Sequence, residues 1–163
     1  MEQPVNKDVR IGHVHLTVAD LEKSLKFYRD ILGFEITQWF GDNAVFLSAG
    51  GYHHHIALNT WAGKDVKKPN GGTAGLYHFA ILFPNRKELA RILRRLLELN
   101  YPLKGASDHG VSESVYLEDP DGIGIELYAD RERNEWPINE EGHLNMITKP
   151  LDVLNLLSEL DDE

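Results

Sequence analysis

The feature that most constrains the fold is an internal repeat. The segment IGHVHLTV near the N-terminus and the segment LYHFAILF in the middle of the chain both resemble the opening strand of a module. Each is followed by a helical pattern and then by further extended segments. Because two copies are too few to propagate as a solenoid, we expect two β-α-β-β-β modules that pair around a shared concave sheet. A functional site would lie on that shared surface.

The first module is predicted over about residues 9–61. It opens with the strand-like run VRIGHVHLTV, after which Asp20 is placed to cap a helix over LEKSLKFYRDIL, and Gly33 to end that helix. Four apolar residues share one face of the helix: Leu21, Leu25, Tyr28 and Leu32. Extended segments separated by glycine-containing turns are predicted around residues 34–40, 44–48 and 54–60.

The second module is predicted over about residues 75–130, after a polar linker at 62–74 that contains glycine and proline. Its opening strand is followed by a helix from about 86 to 99. Two extended segments, SVYLED and IGIELYA, then flank the turn DPDG. The sequence therefore predicts an α+β fold in which two paired βαβββ modules form a curved mixed sheet around a metal cleft.

The chain has 163 residues, of which 42% are hydrophobic, and this is enough for one domain with a proper core. We predict that domain over residues 1–137. The remaining residues, 138–163, form a C-terminal tail whose PLDVLNLLSEL segment has the pattern of a short amphipathic helix. We interpret the tail as a packing or dimer-contact element.

Composition excludes several classes of function. Lys and Arg number 17 against 26 Asp and Glu, which gives a net charge of −9, so the average field repels nucleic acid and anionic membranes. The absence of cysteine removes disulfides and thiolate ligands, and leaves histidine and carboxylate as metal ligands. The polar N-terminus and the lack of a long apolar stretch predict a cytoplasmic protein.

Three residues stand out as candidate metal ligands. His78 holds the position in the second module that His13 holds in the first, and Glu126 is an isolated carboxylate in the closing strand, in GIELY. Any one of them alone would more often be a hydrogen-bonded core or edge residue. Their places in the repeat favour ligation. Two histidines and one carboxylate with open positions suit a non-haem iron(II) oxygenase, and related sites accept manganese, nickel or zinc.

The run His53-His54-His55 lies in GGYHHHIALNTW. A solvated surface run is the plain explanation for the first two. Aligning HIALN with GIELY sets Ala57 at the position of Glu126, so the first module lacks the matching carboxylate. His55 lies two residues earlier on the same face, where a titratable imidazole could move a proton to or from a bound substrate or oxygen.

Two further residues are candidates for holding a substrate oxygen. Tyr116 lies on the strand next to that of Glu126, and His109 lies in the loop before it. A phenol and an imidazole beside a Lewis-acidic metal could stabilise a developing anion. Packing and solvation are the alternative roles of these two residues. Three aromatic residues are candidates for pocket or packing positions, with packing favoured: Trp39, Phe46 and Trp61.

These residues resemble the vicinal oxygen chelate superfamily, which includes glyoxalase I, fosfomycin and bleomycin resistance proteins, and extradiol ring-cleaving dioxygenases. HVHLTVADLEKSLKFYRDILGF resembles its opening strand and helix. FLSAGGYHHHIALNTW, GLYHFAIL and ASDHGVSESVYLEDPDGIGIELYADR resemble the catechol 2,3-dioxygenase branch more specifically.

The resemblance implies a role for each candidate. His13, His78 and Glu126 match the family's iron ligands, and His55 matches a histidine that assists oxygen activation and proton transfer. Tyr116 matches a tyrosine near the substrate hydroxyl. His109 matches a loop histidine that orients that hydroxyl, after a small adjustment of loop length. Ring-cleaving members commonly carry two paired-module domains, whereas one pair is expected in this chain.

We therefore expect an iron(II)-dependent extradiol dioxygenase of aromatic catabolism, with manganese(II) or another divalent metal as the alternative ion. Its partners would be a small aromatic diol and O₂, and we expect a homodimer or higher homo-oligomer. Two alternatives are a glyoxalase-type lyase or isomerase, which would prefer a fourth ligand where Ala57 stands, and a metal-free protein that binds an antibiotic or another small aromatic molecule.

Overall fold

The structure is a computed structural model that describes residues 4–69 and 72–161. The chain divides into two compact units, Met1–Val66 and Lys67–Glu163, and each is described by itself. The predicted bounds of a single domain, the linker and the tail stay predictions.

The first unit contains a four-stranded mixed sheet in the order β1-β4-β3-β2. The strands are β1 (Val14–Thr17), β2 (Glu35–Phe40), β3 (Ala44–Ser48) and β4 (Ile56–Asn59). β1 pairs parallel with β4, and the other pairs are antiparallel. Apolar side chains of β3 and β4 are buried in its core.

The helix of the first unit begins and ends where the sequence predicts, but it changes type midway. Asp20 caps α1 (Leu21–Leu25) by accepting a hydrogen bond from the amide of Lys23. A π-helical segment (Lys26–Ile31) follows, and Gly33 ends it with a φ of 88°. Phe27, in the π-helical segment, is buried in addition to residues of the predicted apolar face.

The second unit has the same order of elements, β-α-β-β-β, followed by the tail. Its five-stranded sheet has the order β5-β8-β7-β6-β9. The strands are β5 (Phe79–Phe83), β6 (Leu103–Asp108), β7 (Ser112–Glu118), β8 (Gly124–Asp130) and β9 (Lys149–Pro150). β5 pairs parallel with β8, as β1 does with β4 in the first unit.

Helix α2 (Arg86–Glu98) covers one face of the second sheet. Asn85 caps it by accepting a hydrogen bond from the amide of Glu88, and its apolar side chains are buried. The tail adds a 3-10 turn (Arg133–Glu135), the short helix α3 (Val153–Leu157) and a second 3-10 turn (Ser158–Leu160). α3 packs on α2 and buries Leu156, so a packing role of the tail is confirmed.

The predicted α+β class, the two βαβββ modules and the short C-terminal helix are confirmed, with the strands arranged in one sheet of four and one of five. β6 and β9 are additions, because no strand was located between α2 and β7 or in the tail. Within the described ranges 4–69 and 72–161, no helix is long and apolar enough to cross a membrane.

Candidate metal centre

The strand registers of the two units place the candidate residues at equivalent positions. Val14 pairs with Ile56 in the first unit, and Phe79 pairs with Ile125 in the second. His13 and His78 each precede the first of these strand residues by one position. The equivalence of the two histidines, inferred from the repeat, therefore agrees with the backbone pairing.

His78 and Glu126 lie together in the second unit. The Nε2 atom of His78 is 3.0 Å from the Oε2 atom of Glu126, with 30% and 14% of the two side chains exposed. Two ligands on adjacent positions of an octahedral ion, each about 2.1 Å from it, lie about 3.0 Å apart. The spacing and chemistry of this pair therefore fit a shared divalent cation.

Glu126 faces the site because β8 is buried on its other face. Its neighbours Ile125 and Leu127 are 1% and 0% exposed, on the side of the strand that packs toward α2. Helix α2 packs against the face of β8 that carries Ile125 and Leu127. The alternation of the strand turns Glu126 away from them.

Gly124 explains how His78 comes close to β8. A Cβ atom at this position would lie 2.4 Å from the carbonyl oxygen of Tyr77 and 3.1 Å from the Cβ of His78. Real Cβ atoms essentially never approach so closely. A glycine is therefore required here, at the position of the second unit that is equivalent to His55 of the first.

Two hydroxyl groups on β7 contact the carboxylate of Glu126. Ser114 Oγ donates a hydrogen bond to Glu126 Oε1 at 2.6 Å, and the Tyr116 hydroxyl lies 3.2 Å from the same oxygen. Tyr116 pairs with Glu126 across the two strands, and Ser114 lies two residues away on the same face. Burial, and then the Glu126 carboxylate, raise the pKa of Tyr116 above its ordinary value, so its hydroxyl stays protonated at neutral pH.

His109 lies in the turn between β6 and β7, which is the predicted loop before the strand of Tyr116. Its Nε2 atom is 2.6 Å from the Tyr116 hydroxyl. Its Nδ1 atom is 3.0 Å from the carbonyl oxygen of Ile147 in the tail. His78, Glu126, Tyr116 and His109 therefore belong to one connected polar cluster.

His13 and His55 lie in the first unit. The ring of His13 is exposed at the start of β1, with its centroid 4.3 Å from that of His54. His54 is half-buried and packs edge-on against Phe46, so it is not the fully solvated residue that was the plain explanation. Burial, and then the neighbouring His13, lower the pKa of His54. Its Nδ1 atom lies 2.7 Å from that of His53.

The ring of His55 is fixed by the end of β3. The amide of Ala49 donates to His55 Nδ1 at 3.3 Å, and Ser48 Oγ lies 3.1 Å from the same nitrogen. Because Nδ1 accepts a hydrogen bond from the Ala49 amide, the neutral ring carries its proton on Nε2. The Nε2–H group could therefore donate a hydrogen bond to a ligand.

The three candidate aromatic residues have different surroundings. Phe46 lines a cavity of about 480 Å³ in the first unit together with Thr37, Gln38, His53 and His54. Trp39 and Trp61 are 46% and 61% exposed, so neither is a core residue. The ring of Trp61 packs edge-on against His15.

Sequence comparisons identify the family to which this architecture belongs. The model of the Glyoxalase/Bleomycin resistance protein/Dioxygenase superfamily matches residues 10–127. The chain belongs to this superfamily. The matched region includes His13, His78 and Glu126, whereas the C-terminal tail lies outside it.

The superfamily contains both dioxygenases and lyases among the proteins to which this chain is similar. A catechol-2,3-dioxygenase of Bacillus subtilis (strain 168) is 43% identical over 98% of this chain and 55% of its own length. A biphenyl-2,3-diol 1,2-dioxygenase 3 of Rhodococcus globerulus is 30% identical over 74% of this chain and 63% of its own length. The chain thus spans less than two-thirds of these curated relatives.

The fold is shared with solved superfamily structures. A lactoylglutathione lyase from Agrobacterium tumefaciens matches with a TM-score of 0.58 and 24% identity, over 76% of this chain and 96% of that one. At this identity the likeness establishes the fold alone.

The structure assembles only part of the predicted ligand set within either unit. Among the residues that the structure describes, no group of three or more His, Cys, Asp and Glu side chains is arranged to hold a metal ion. The structure brings His78 and Glu126 together, while His13 belongs to the first unit. The complete set of three therefore stays a prediction.

Sequence reasoning missed Ser114 and the tail contact at His109. Ser114 is fully buried and holds Glu126, and the one signal for it was its period-two spacing from Tyr116. The contact with Ile147 is made by a backbone carbonyl, which leaves no signal in the side-chain pattern.

Proposed function

We propose that this chain is a metal-dependent extradiol ring-cleaving dioxygenase that acts on a catechol-like substrate with O₂. The metal is iron(II), with manganese(II) as the alternative. The observation that carries the proposal is the pair of His78 and Glu126, whose donor atoms lie 3.0 Å apart beside the hydrogen-bonded Tyr116 and His109. Membership of a superfamily that contains dioxygenases supports it.

His13, His78 and Glu126 would hold the metal. When bound, a divalent iron supplies Lewis acidity toward two vicinal oxygens and a path for electrons from the ring to O₂. Ser114 and Gly124 support this set. Ser114 orients the Glu126 carboxylate by a hydrogen bond, and Gly124 leaves room for the backbone at His78 to approach β8.

The overall reaction balances without an external reductant. The ring carbon–carbon bond next to the diol breaks, and both atoms of O₂ enter the open-chain product. O₂ is reduced and the diol is oxidised. The hydroxyl protons of the substrate must therefore leave and be returned during the reaction, which requires a group that exchanges protons near neutral pH.

His55 is suited to that exchange. Its Nδ1 atom contacts the Ala49 amide and the Ser48 hydroxyl, and these contacts fix the orientation of the ring. Nε2 is therefore the nitrogen that is available to a ligand. An imidazole can lose a proton at one ring nitrogen as it gains one at the other, which is the exchange that the reaction requires.

Tyr116 would contact a substrate oxygen, and His109 would orient the Tyr116 hydroxyl. The two groups are hydrogen-bonded at 2.6 Å and share the cluster with Glu126. A phenol whose pKa is raised stays neutral, so it adds no negative charge beside an anionic diol.

The residue at position 57 favours the dioxygenase over a lyase. Ala57 is buried and has no ligating atom in its side chain, although its register position is that of Glu126. A site with three protein ligands leaves room for a bidentate diol and for O₂.

Oxygen uptake tests the proposal. Protein purified and loaded with iron(II) under nitrogen should consume O₂ when catechol or its 3- or 4-substituted forms are added, and should form the yellow ring-cleaved product. Isomerisation of a hemithioacetal without oxygen uptake would favour the lyase. Tight binding of aromatic compounds by protein that retains no metal would favour the binding protein.

The same preparation tests the expected oligomer. Light scattering coupled to gel filtration should give a mass of at least twice 18.5 kDa. A mass of one chain in the active preparation would contradict the expected homo-oligomer.

A further inference from the structure

The tail contacts His109 through its backbone as well as through the imidazole. The amide of Ile147 donates to the carbonyl oxygen of His109 at 3.1 Å, and His109 Nδ1 lies 3.0 Å from the carbonyl oxygen of Ile147. The two residues therefore hold each other by two hydrogen bonds. The tail segment that makes this contact, residues 137–148, lies outside the region that the superfamily model matches.

Gly110 makes this close approach possible. A Cβ atom at this position would lie 2.8 Å from Cγ of Pro137 and 3.1 Å from Cγ1 of Ile147. Its φ of 76° is also in the left-handed region that favours glycine. The turn beside His109 therefore fits against the tail segment because residue 110 has no side chain.

The partners of His109 determine where its proton lies. A carbonyl oxygen can only accept, so the bond to Ile147 requires a proton on Nδ1. A neutral imidazole with a proton on Nδ1 carries a lone pair on Nε2. Tyr116, 2.6 Å from Nε2, must then donate its hydroxyl proton to His109.

The direction of the bond from Tyr116 to His109 also determines how the Tyr116 hydroxyl meets Glu126. Tyr116 has one proton, so it cannot also donate to Glu126 at 3.2 Å. The hydrogen bond to Glu126 Oε1 comes from Ser114, at 2.6 Å. The Tyr116 oxygen is left with lone pairs, and it can accept a hydrogen bond from a further group.

We propose that tail segment 137–148 fixes the tautomer of His109 and thereby makes Tyr116 a hydrogen-bond acceptor toward the substrate. Ile147 is a positioning residue that acts through His109. This inference rests on the proposed function. It implies that the substrate donates a hydrogen bond from a hydroxyl group to the Tyr116 oxygen. A catechol that enters with one hydroxyl protonated meets this requirement.

A hydrogen bond from Thr148 to His109 would favour the other tautomer of the imidazole. Its Oγ1 atom lies 3.3 Å from His109 Nδ1, and a threonine hydroxyl can donate as well as accept. If Thr148 donated to Nδ1, the proton would lie on Nε2 and the direction of the whole chain of bonds would reverse. Thr148 is exposed, and its contact is longer than that of Ile147.

Nitrogen NMR of the imidazole rings distinguishes the two directions. The full chain, labelled with ¹⁵N-histidine and freed of metal by a chelator, is measured at neutral pH, and His109 is assigned by the loss of its signals in His109→Gln. We expect a protonated Nδ1 and an unprotonated Nε2, both unchanged in Thr148→Val. A proton on Nε2, or an imidazolium at neutral pH, would overturn the proposal.

Gly110→Ala tests the role of the tail segment. Displacing residues 137–148 should convert the single tautomer of His109 into an exchanging mixture, while the histidine signals of the first unit stay in place. In the iron(II)-loaded protein, oxygen uptake should fall about tenfold in this variant. A folded Gly110→Ala protein that keeps the Nδ1 tautomer would refute the assignment to the tail.

These readouts separate this inference from the proposed function. If no preparation consumes O₂, the dioxygenase proposal fails, and the NMR result still decides the tautomer. If the wild-type chain consumes O₂ but carries the proton on Nε2, the tautomer inference alone fails.

Discussion

Ala57 and Glu126 occupy equivalent register positions in their two sheets: Ala57 pairs with His15 across β4 and β1, and Glu126 pairs with Ala80 across β8 and β5. The repeat therefore supplies a carboxylate in one unit and a methyl group at the matching position of the other. This difference separates a three-ligand site from a four-ligand one.

Replacing Ala57 with glutamate should keep the metal and remove the oxygenase activity. A second carboxylate would occupy a coordination position that a diol or O₂ needs, so we expect oxygen uptake to fall about tenfold or more. Ala57→Ser is the matched control, because it adds a polar atom without a carboxylate. Full oxygen uptake by metal-loaded Ala57→Glu would contradict the assigned role of this position.

Ser114→Ala should weaken metal binding while the fold is retained. The Ser114 hydroxyl orients Glu126 at 2.6 Å, and loss of such a supporting hydrogen bond typically costs about 10–100-fold in metal affinity. Competition with a chromogenic chelator measures the effect. Ser112→Ala, two residues along the same strand and also buried, should bind metal like the wild type. Equal affinities for all three proteins would show that Ser114 is not needed.

Glu113 should be a stability determinant that lies outside the site. Its carboxylate, 8% exposed, accepts from Arg86 at 2.6 Å and from Arg131 at 2.9 Å, and so joins β7 to α2 and to the segment after β8. Glu113→Ala removes the shared partner of two guanidinium groups, and we expect a loss of about 3 kcal/mol in the free energy of unfolding.

Urea unfolding provides the measurement for Glu113. Arg91→Ala is the control, since Arg91 pairs with Glu88 on the exposed side of α2 and its loss should cost less than about 1 kcal/mol. Similar losses in the two variants would mean that the Glu113 network does not stabilise the fold beyond a surface pair.

Tyr101 should give the chain an alkaline limit. Burial, and then Asp119, raise the pKa of Tyr101 from 10.0 to about 12, and its hydroxyl donates to the carbonyl oxygen of Glu118 at 2.8 Å. Because the pKa is higher in the folded state, this stabilisation is complete below pH 10 and is lost as the pH rises toward about 12.

Titration of tyrosine absorbance and urea unfolding between pH 9 and 12 test this limit. Tyr101→Phe should remove a tyrosine that titrates near pH 12 and flatten the alkaline decline in stability. An unchanged absorbance titration in Tyr101→Phe would contradict the raised pKa.

Much of the fold follows from local sequence signals. Asp20 and Gly33 mark the two ends of the first helix, and β3 has the predicted bounds of residues 44–48, because capping chemistry and apolar runs are local. The π-helical segment was not predicted, since a shift in backbone hydrogen bonding leaves the apolar spacing of the sequence almost unchanged. β6, with the sequence LKGASD, lacks the apolar alternation that identifies a strand.

The site was predictable in its residue types and less so in its connections. His78 was identified from the repeat and Glu126 as an isolated carboxylate in the closing strand, and the structure places the two side chains 3.0 Å apart. Ser114 was missed because a serine on a strand has many possible roles, and Ile147 because its contact with His109 depends on the path of the tail. Such contacts join residues far apart in the chain and leave no local pattern.

Metal content is the most direct test of the central claim, that His13, His78 and Glu126 hold one divalent metal. Protein purified under nitrogen and loaded with iron(II) is desalted and analysed for metal, as wild type and as His13→Ala, His78→Ala and Glu126→Ala. The exposed His143→Ala is the control. We predict one metal ion per chain in the wild type and the control, and a large loss in each of the other three. Retention of the metal by all three variants, or its absence from the wild type, would contradict the account.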